Sequence, residues 1–291
     1  MRRWKEKLIE LFFMLNGLVV IIALVSIFYL LIKNSWPAIQ ELGLKSFFSS
    51  ARWNPTSYNE PGYGILGQIL STLMVTLGSM VISVPLGVAT AAYISEVASP
   101  RARSILKPVI EILAGIPSVV IGFLGIVLLG PVIASTFGLS NGLNALNGAI
   151  LLAIMSLPTI ISLSEDAISS VPDKFKRASL GLGANDWQTL TRVTIPSSLS
   201  GVIAAIMLGM GRAIGETMTV LMATGNAPAL PGGFFDSVRT MTATIAIELG
   251  EVPYNSTHYY ALFMVGLVLF IMTFIVNLVS DIILNKYQEV E

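Results

Sequence analysis

Two ionisable side chains stand in an apolar setting. In the run Gly211-Arg212-Ala213-Ile214-Gly215-Glu216-Thr217-Met218, an arginine and a glutamate are four residues apart. On a helix that spacing places both on one face. A charge at the centre of a membrane span costs about 2.5 to 3.5 kcal/mol on insertion scales, so both are expected to face protein or a wet cavity. One account is a mutually neutralising ion pair that helps helices pack. The other is a pathway site, because a planar guanidinium offers a fork of donors matched to the oxygens of phosphate or sulfate. Glu216 then has two possible uses. Phosphate near neutral pH keeps a proton to donate to a carboxylate and sulfate does not, so Glu216 would discriminate between them; alternatively it holds Arg212 in one gating state and releases it in another. Thr217 joins Arg212 and Glu216 as a candidate pathway residue.

Other chemistry finds little support. The chain has no cysteine, and its one histidine, His258, cannot build a multi-histidine metal site. A phosphate-cradling loop of the form G-x-x-x-x-G-K-[ST] is absent from the sequence. No cluster of acid, base and nucleophile is apparent; Glu165-Asp166 reads as a solvated span end. The expectation is therefore a chain with no catalytic residues, no metal site and no nucleotide of its own. A formal net charge of zero argues against nucleic acid as a partner.

The elements that must position these residues belong in a bilayer. Of 291 residues 54% are hydrophobic and 12% charged, against about 25% charged in an average soluble domain. Between Glu10 and Lys33 lie 22 residues without a charge, longer than a secretory signal's apolar core and lacking its cleavage site. Further charge-free stretches cover 61–95, 112–164, 193–211 and 252–280. The 112–164 stretch is too long for one helix, and its middle, Gly130-Pro131 to Asn147-Gly148, favours turns. An all-α integral membrane protein of six spans follows, a single domain over 1–291, with spans near 11–32, 66–94, 108–130, 148–168, 197–224 and 258–284. With the N-terminus inside, twelve basic residues (Arg2, Arg3, Lys5, Lys7, Arg101, Arg103, Lys107, Lys174, Lys176, Arg177, Arg192, Lys286) fall on cytoplasmic segments, while Lys33, Lys45, Arg52 and Arg239 lie outside. Both termini are accordingly expected in the cytoplasm. Trp36, Trp53, Tyr58 and Tyr63 on the first outer segment suit a membrane interface.

The segment between the fourth and fifth spans, 172–196, is predicted to hold two short helices, one starting at Pro172-Asp173 and one near Asp186, with Gly183 permitting a sharp turn between them. Arg177-Ala178-Ser179, then Gly183-Ala184, closing at Ile195-Pro196, resembles the cytoplasmic "EAA" loop of ABC importer permeases. Arg177 stands where that family usually has glutamate, and Ser179 where it has a second alanine. The resemblance implies a type I ABC importer permease fold, with a coupling helix docked on an ATPase subunit through Asp173, Arg177, Ala178, Ser179, Gly183, Ala184 and Asp186.

A wider resemblance covers nearly the whole chain. Gly115-Ile116-Pro117-Ser118-Val119-Val120, the Arg212 to Met218 run, Gly225-Asn226-Ala227-Pro228, and Arg239 to Ala246 together look like the phosphate-specific permease of the PstC type. That implies a permease in a bacterial or archaeal cytoplasmic membrane, not an enzyme. Its implied partners are a sister permease of the PstA type, an ATPase dimer that binds ATP and Mg, a periplasmic or lipid-anchored phosphate-binding protein, phosphate itself and membrane lipids. Gly115, Pro117 and Ser118 are expected to shape helix packing near the pathway. Permeases for sulfate or molybdate, and an ion-coupled secondary transporter or channel, are the alternatives.

Overall fold

The computed structural model describes the backbone of residues 2–57 and 59–288 and the side chains of residues 7, 9–57 and 59–283. The side chains of Arg2, Arg3, Lys5 and Lys286, used above for topology, and Tyr58 lie outside those described residues.

The first helix, α1 (Arg2–Leu42), carries an apolar span from Ile9 to Leu42, 34 residues. At 1.5 Å per residue that is about 51 Å, more than the roughly 30 Å of hydrocarbon, so the helix projects beyond it. Its apolar side chains are almost all exposed, as lipid contact requires. A short helix α2 (Leu44–Ser49) and a two-strand hairpin follow, β1 (Trp53–Asn54) paired antiparallel with β2 (Gly62–Tyr63). Burial, and then the charge of Glu41, raise the pKa of Tyr63 above its ordinary value, which keeps its hydroxyl neutral.

Helix α3 (Leu66–Ala92) ends in a π turn, Tyr93–Val97. Helix α4 (Pro100–Ala114) begins with Ser99 accepting from Ala102 N and holds Arg101, Arg103, Lys107 and Glu111. Gly115 ends it, and Pro117 precedes α5 (Ser118–Leu124), which passes through a π turn, Gly125–Leu129, into α6 (Gly130–Phe137). The third span is therefore Ser118–Phe137 and not 108–130. The reason is local: proline has no N–H and holds the residue before it out of the helical region, so Pro117 starts a helix better than it continues one.

The most buried span, α7 (Ala145–Ser169), packs chiefly on α3 and on α11 (Leu199–Gly215). Ile160 is the centre of this contact. A Cβ at Gly87 of α3 would lie 2.7 Å from its Cγ2, and one at Gly209 of α11 would lie 2.8 Å from its Cγ1. Only glycine lets the three helices close on that side chain. After α7 come α8 (Asp173–Gly181), α9 (Asp186–Thr189), a π turn at Leu190–Thr194 and α10 (Ile195–Ser197), which meets α11 at a 68° bend. Beyond α11 lie α12 (Met218–Ala223), α13 (Met241–Glu248) and the last span, Thr257–Ile283, within α14 (Thr257–Gln288). Among the described residues five helices are long and apolar enough to cross a bilayer, or six spans if the bent pair counts as one. The fifth differs most from expectation, since it is interrupted after Gly215 instead of running through 197–224.

Candidate functional site

Arg212 lies in the last turn of α11 and is exposed on this chain. Its Nη1 donates to Thr159 Oγ1 of α7 at 3.2 Å. Thr159 is 14 residues into α7, about 21 Å from its start and about 15 Å from its end at 1.5 Å per residue, which places the guanidinium near mid-depth.

The expected shared helix face for Arg212 and Glu216 is not found. Helix α11 stops at Gly215, and Glu216 adopts an extended backbone with ψ 132°. No ion pair joins the two among the described residues. Instead Glu216 Oε1 accepts from Thr219 N at 3.3 Å, turning the carboxylate onto the start of α12, where the helix dipole favours a negative charge. The Glu216 carbonyl accepts from Thr242 Oγ1 at 2.8 Å. Thr217 occupies the break itself, its hydroxyl donating to Gly215 O at 3.3 Å. Among the described residues the neutralising ion pair is thus absent.

A second helix break abuts the first. Gly115, Ile116 and Pro117 separate α4 from α5, and Thr219 Oγ1 donates to Ser118 O at 3.1 Å across the two breaks. Gly115 and Pro117 are exposed and Ser118 is half-buried. Interrupted helices free main-chain groups that a continuous helix would consume, a geometry suited to a polar solute inside a membrane protein. Thr219 was missed in sequence; a hydroxyl three residues after Glu216 in an apolar run was its only signal. Among the described residues no three His, Cys, Asp or Glu side chains group as a metal site.

The second candidate surface lies at the end of the bundle where α3 and α7 finish. Lys176 Nζ of α8 binds Glu96 Oε1 at 2.7 Å, tying α8 to the π turn after α3. Ser179 Oγ and Thr189 Oγ1 are 2.9 Å apart and join α8 to α9. Gly183 has φ +88°, the left-handed value the turn requires. Helix α9 begins at Asp186 as expected, and Asn185 before it supplies the cap, forming a capping box with Gln188. Asp173, Arg177, Ala178 and Asp186 are exposed, and Ser179 and Ala184 half-buried. A groove of about 550 Å³ runs between α8 and the following turn. Leu182 is 90% exposed and Trp187 69%, apolar surface of a kind that marks a protein contact.

Glu165 overturns its reading as a solvated span end. It is 3% exposed and takes ion pairs from Arg103 and, at 2.7 Å, from Lys107, so α4 is clamped to α7. A buried carboxylate persists only with such partners. They lie some 60 residues away in sequence, which is why proximity along the chain did not reveal them.

Residues 83–288 match the family described as "Binding-protein-dependent transport system inner membrane component". The chain is 42% identical over 229 residues to a probable ABC transporter permease protein, YqgH, of Bacillus subtilis, covering 79% of this chain and 74% of that one. It is 32% identical over 289 residues to the phosphate transport system permease protein PstC of Mesorhizobium japonicum, covering 93% and 87%. In structure it resembles a bacterial ABC transporter involved in alginate import, with TM-score 0.65 and 14% identity over 98% of this chain and 99% of that one. It also resembles the MetNI methionine ABC transporter, with TM-score 0.58 and 19% identity over 77% and 94%.

Proposed function

Because the chain belongs to the family of binding-protein-dependent transport system inner membrane components, we propose that it is the permease subunit of an ATP-driven importer for inorganic phosphate. The observation that carries this reading is Arg212: a guanidinium near mid-depth, exposed on this chain and, among the described residues, held by one threonine and by no carboxylate. Facing lipid it would be costly. Facing a passage shared with a sister permease of the PstA type, it supplies a fixed fork of donors for a tetrahedral oxyanion.

The end of the molecule bearing α8 and α9 is assigned to the cytoplasm, together with both termini, following the distribution of basic residues. There the exposed faces of Asp173, Arg177, Ala178 and Asp186, with Leu182 and Trp187, would seat an ATPase dimer, which holds ATP and Mg. The opposite end would receive the phosphate-loaded binding protein. Closure of the ATPase dimer moves α8, and Lys176–Glu96 and the 68° bend below α11 pass that motion to the spans. Phosphate then passes Arg212. Glu216 serves selectivity: among the described residues only one of its carboxylate oxygens is engaged, and a protonated phosphate can donate to the other whereas sulfate cannot.

The test is ATP-dependent anion uptake by vesicles containing the whole complex. Arg212→Ala should abolish phosphate uptake while the complex still assembles, and Glu216→Gln should admit sulfate. Native phosphate uptake by Arg212→Ala would overturn the pathway assignment, and sulfate taken up as fast as phosphate by the native complex would overturn the substrate.

A further inference from the structure

At the end of the bundle opposite α8, one carboxylate gathers three segments, one of them 195 residues away in sequence. Glu248, the last residue of α13, accepts from Trp53 Nε1 of β1 at 2.9 and 3.0 Å and from Arg239 Nη1 at 2.7 Å, and His258 Nε2 at the start of α14 lies 2.8 Å away. Its side chain is 16% exposed. With these donors the charge is compensated, and such satisfied networks hold their members in one arrangement. Beside Glu248 is an open cavity of about 470 Å³, also lined by Pro55, Pro228 and Glu251.

Two routes run from this carboxylate to the break beside Arg212. The first is α13 itself. From Glu248 back to Thr242 is six residues, about 9 Å of helix, and Thr242 Oγ1 holds the Glu216 carbonyl at 2.8 Å. The start of α13 is fixed as well, with Thr240 capping it and Met241 N donating to Thr72 Oγ1 of α3 at 3.1 Å. In the second route, Arg239 Nε donates to Asn226 O at 2.9 Å and Asn226 Nδ2 donates to Leu221 O of α12 at 2.6 Å. Both sides of the Glu216–Thr217 break, the end of α11 and the body of α12, are therefore tied to Glu248. Helix α13 thus has one end at an open cavity and the other on the break.

We infer that Glu248 is a positioning residue for transport. Contact of the substrate-loaded binding protein with the cavity shifts the partners of Glu248, α13 carries the shift to Thr242, and release of the Glu216 carbonyl opens the passage beside Arg212. This rests on the permease reading. The second half of the linkage, from Thr242 to Glu216, is tested without disturbing the charge cluster.

The experiment uses the whole reconstituted complex with Glu248→Gln, Thr242→Val and Thr242→Ser. Maximal uptake is measured against binding-protein concentration, and a single thiol at Met218→Cys is labelled with a water-soluble maleimide, the chain having no cysteine of its own. Glu248→Gln and Thr242→Val should lower maximal uptake about tenfold, as loss of one buried hydrogen bond can, with the half-saturating binding-protein concentration within about twofold of native. Both should speed labelling at Met218→Cys, and Thr242→Ser, which keeps the hydroxyl, should behave as native. Unchanged uptake and labelling would overturn the inference. So would a loss confined to the half-saturating concentration, which marks a docking residue only, or a Thr242→Ser variant as impaired as Thr242→Val, which marks packing only. Labelling needs no phosphate, so failure of the native complex to transport phosphate would count against the substrate and leave the Glu248 result to be judged by itself.

Discussion

At the scale of single residues, the proposed pathway rests on what does and does not accompany Arg212. A threonine hydroxyl orients the guanidinium without neutralising it, whereas a carboxylate partner would have competed with any anion in the passage. The identity of the cation matters for the same reason. Lysine retains the charge but not the planar fork. Arg212→Lys should therefore reduce phosphate uptake by about tenfold, the value of one charge-assisted hydrogen bond lost, and so fall between the native chain and Arg212→Ala. Uptake equal to native would mean that charge alone suffices. That an arginine and a glutamate would occur here together was legible in sequence; their separation was not. Helical spacing presupposes a helix, and the chain leaves the helix at Gly215, between the two.

At the scale of elements, breaks and close approaches organise the molecule. The Gly115–Pro117 and Glu216–Thr217 interruptions meet through Thr219 and Ser118, and the α3, α7 and α11 spans meet on Ile160. Replacing Gly209 by valine should place a methyl group against Ile160 and cost about 1 to 3 kcal/mol, the usual penalty of overpacking. Thermal unfolding in detergent would read this as a lowered Tm. Combined with Ile160→Ala, the loss should be smaller than the sum of the two single changes, because the second opens the space the first fills. Strict additivity would exclude the contact as the cause. The apolar runs marked the candidate spans, since a bilayer admits little else. The start of the third was misplaced because Pro117 sits inside a charge-free stretch, and hydropathy does not register a missing N–H.

At the scale of the whole molecule, the chain offers an exposed surface of two short helices at one end, an exposed cation near mid-depth and a hydrogen-bonded cluster at the other end. Leu182, 90% exposed, leaves most of its side chain free to pack against another subunit. Leu182→Glu should leave folding and Tm unchanged while weakening ATPase association by about tenfold or more, the loss expected for an apolar anchor at an interface. Co-purification and ATP-driven uptake would measure it, and undiminished association would remove Leu182 from the docking surface. By itself the sequence determined the membrane class, the six-span organisation, the paired short helices of 172–196 and the residues with unusual charge, all of which depend on local composition and spacing. Only the tertiary structure decided that Arg212 and Glu216 part, that Glu165 clamps Arg103 and Lys107, and that Glu248 gathers Trp53, Arg239 and His258. These pairings join residues on different elements, and a carboxylate's partner is set by which helices pack together, a relation that spacing along one helix cannot encode.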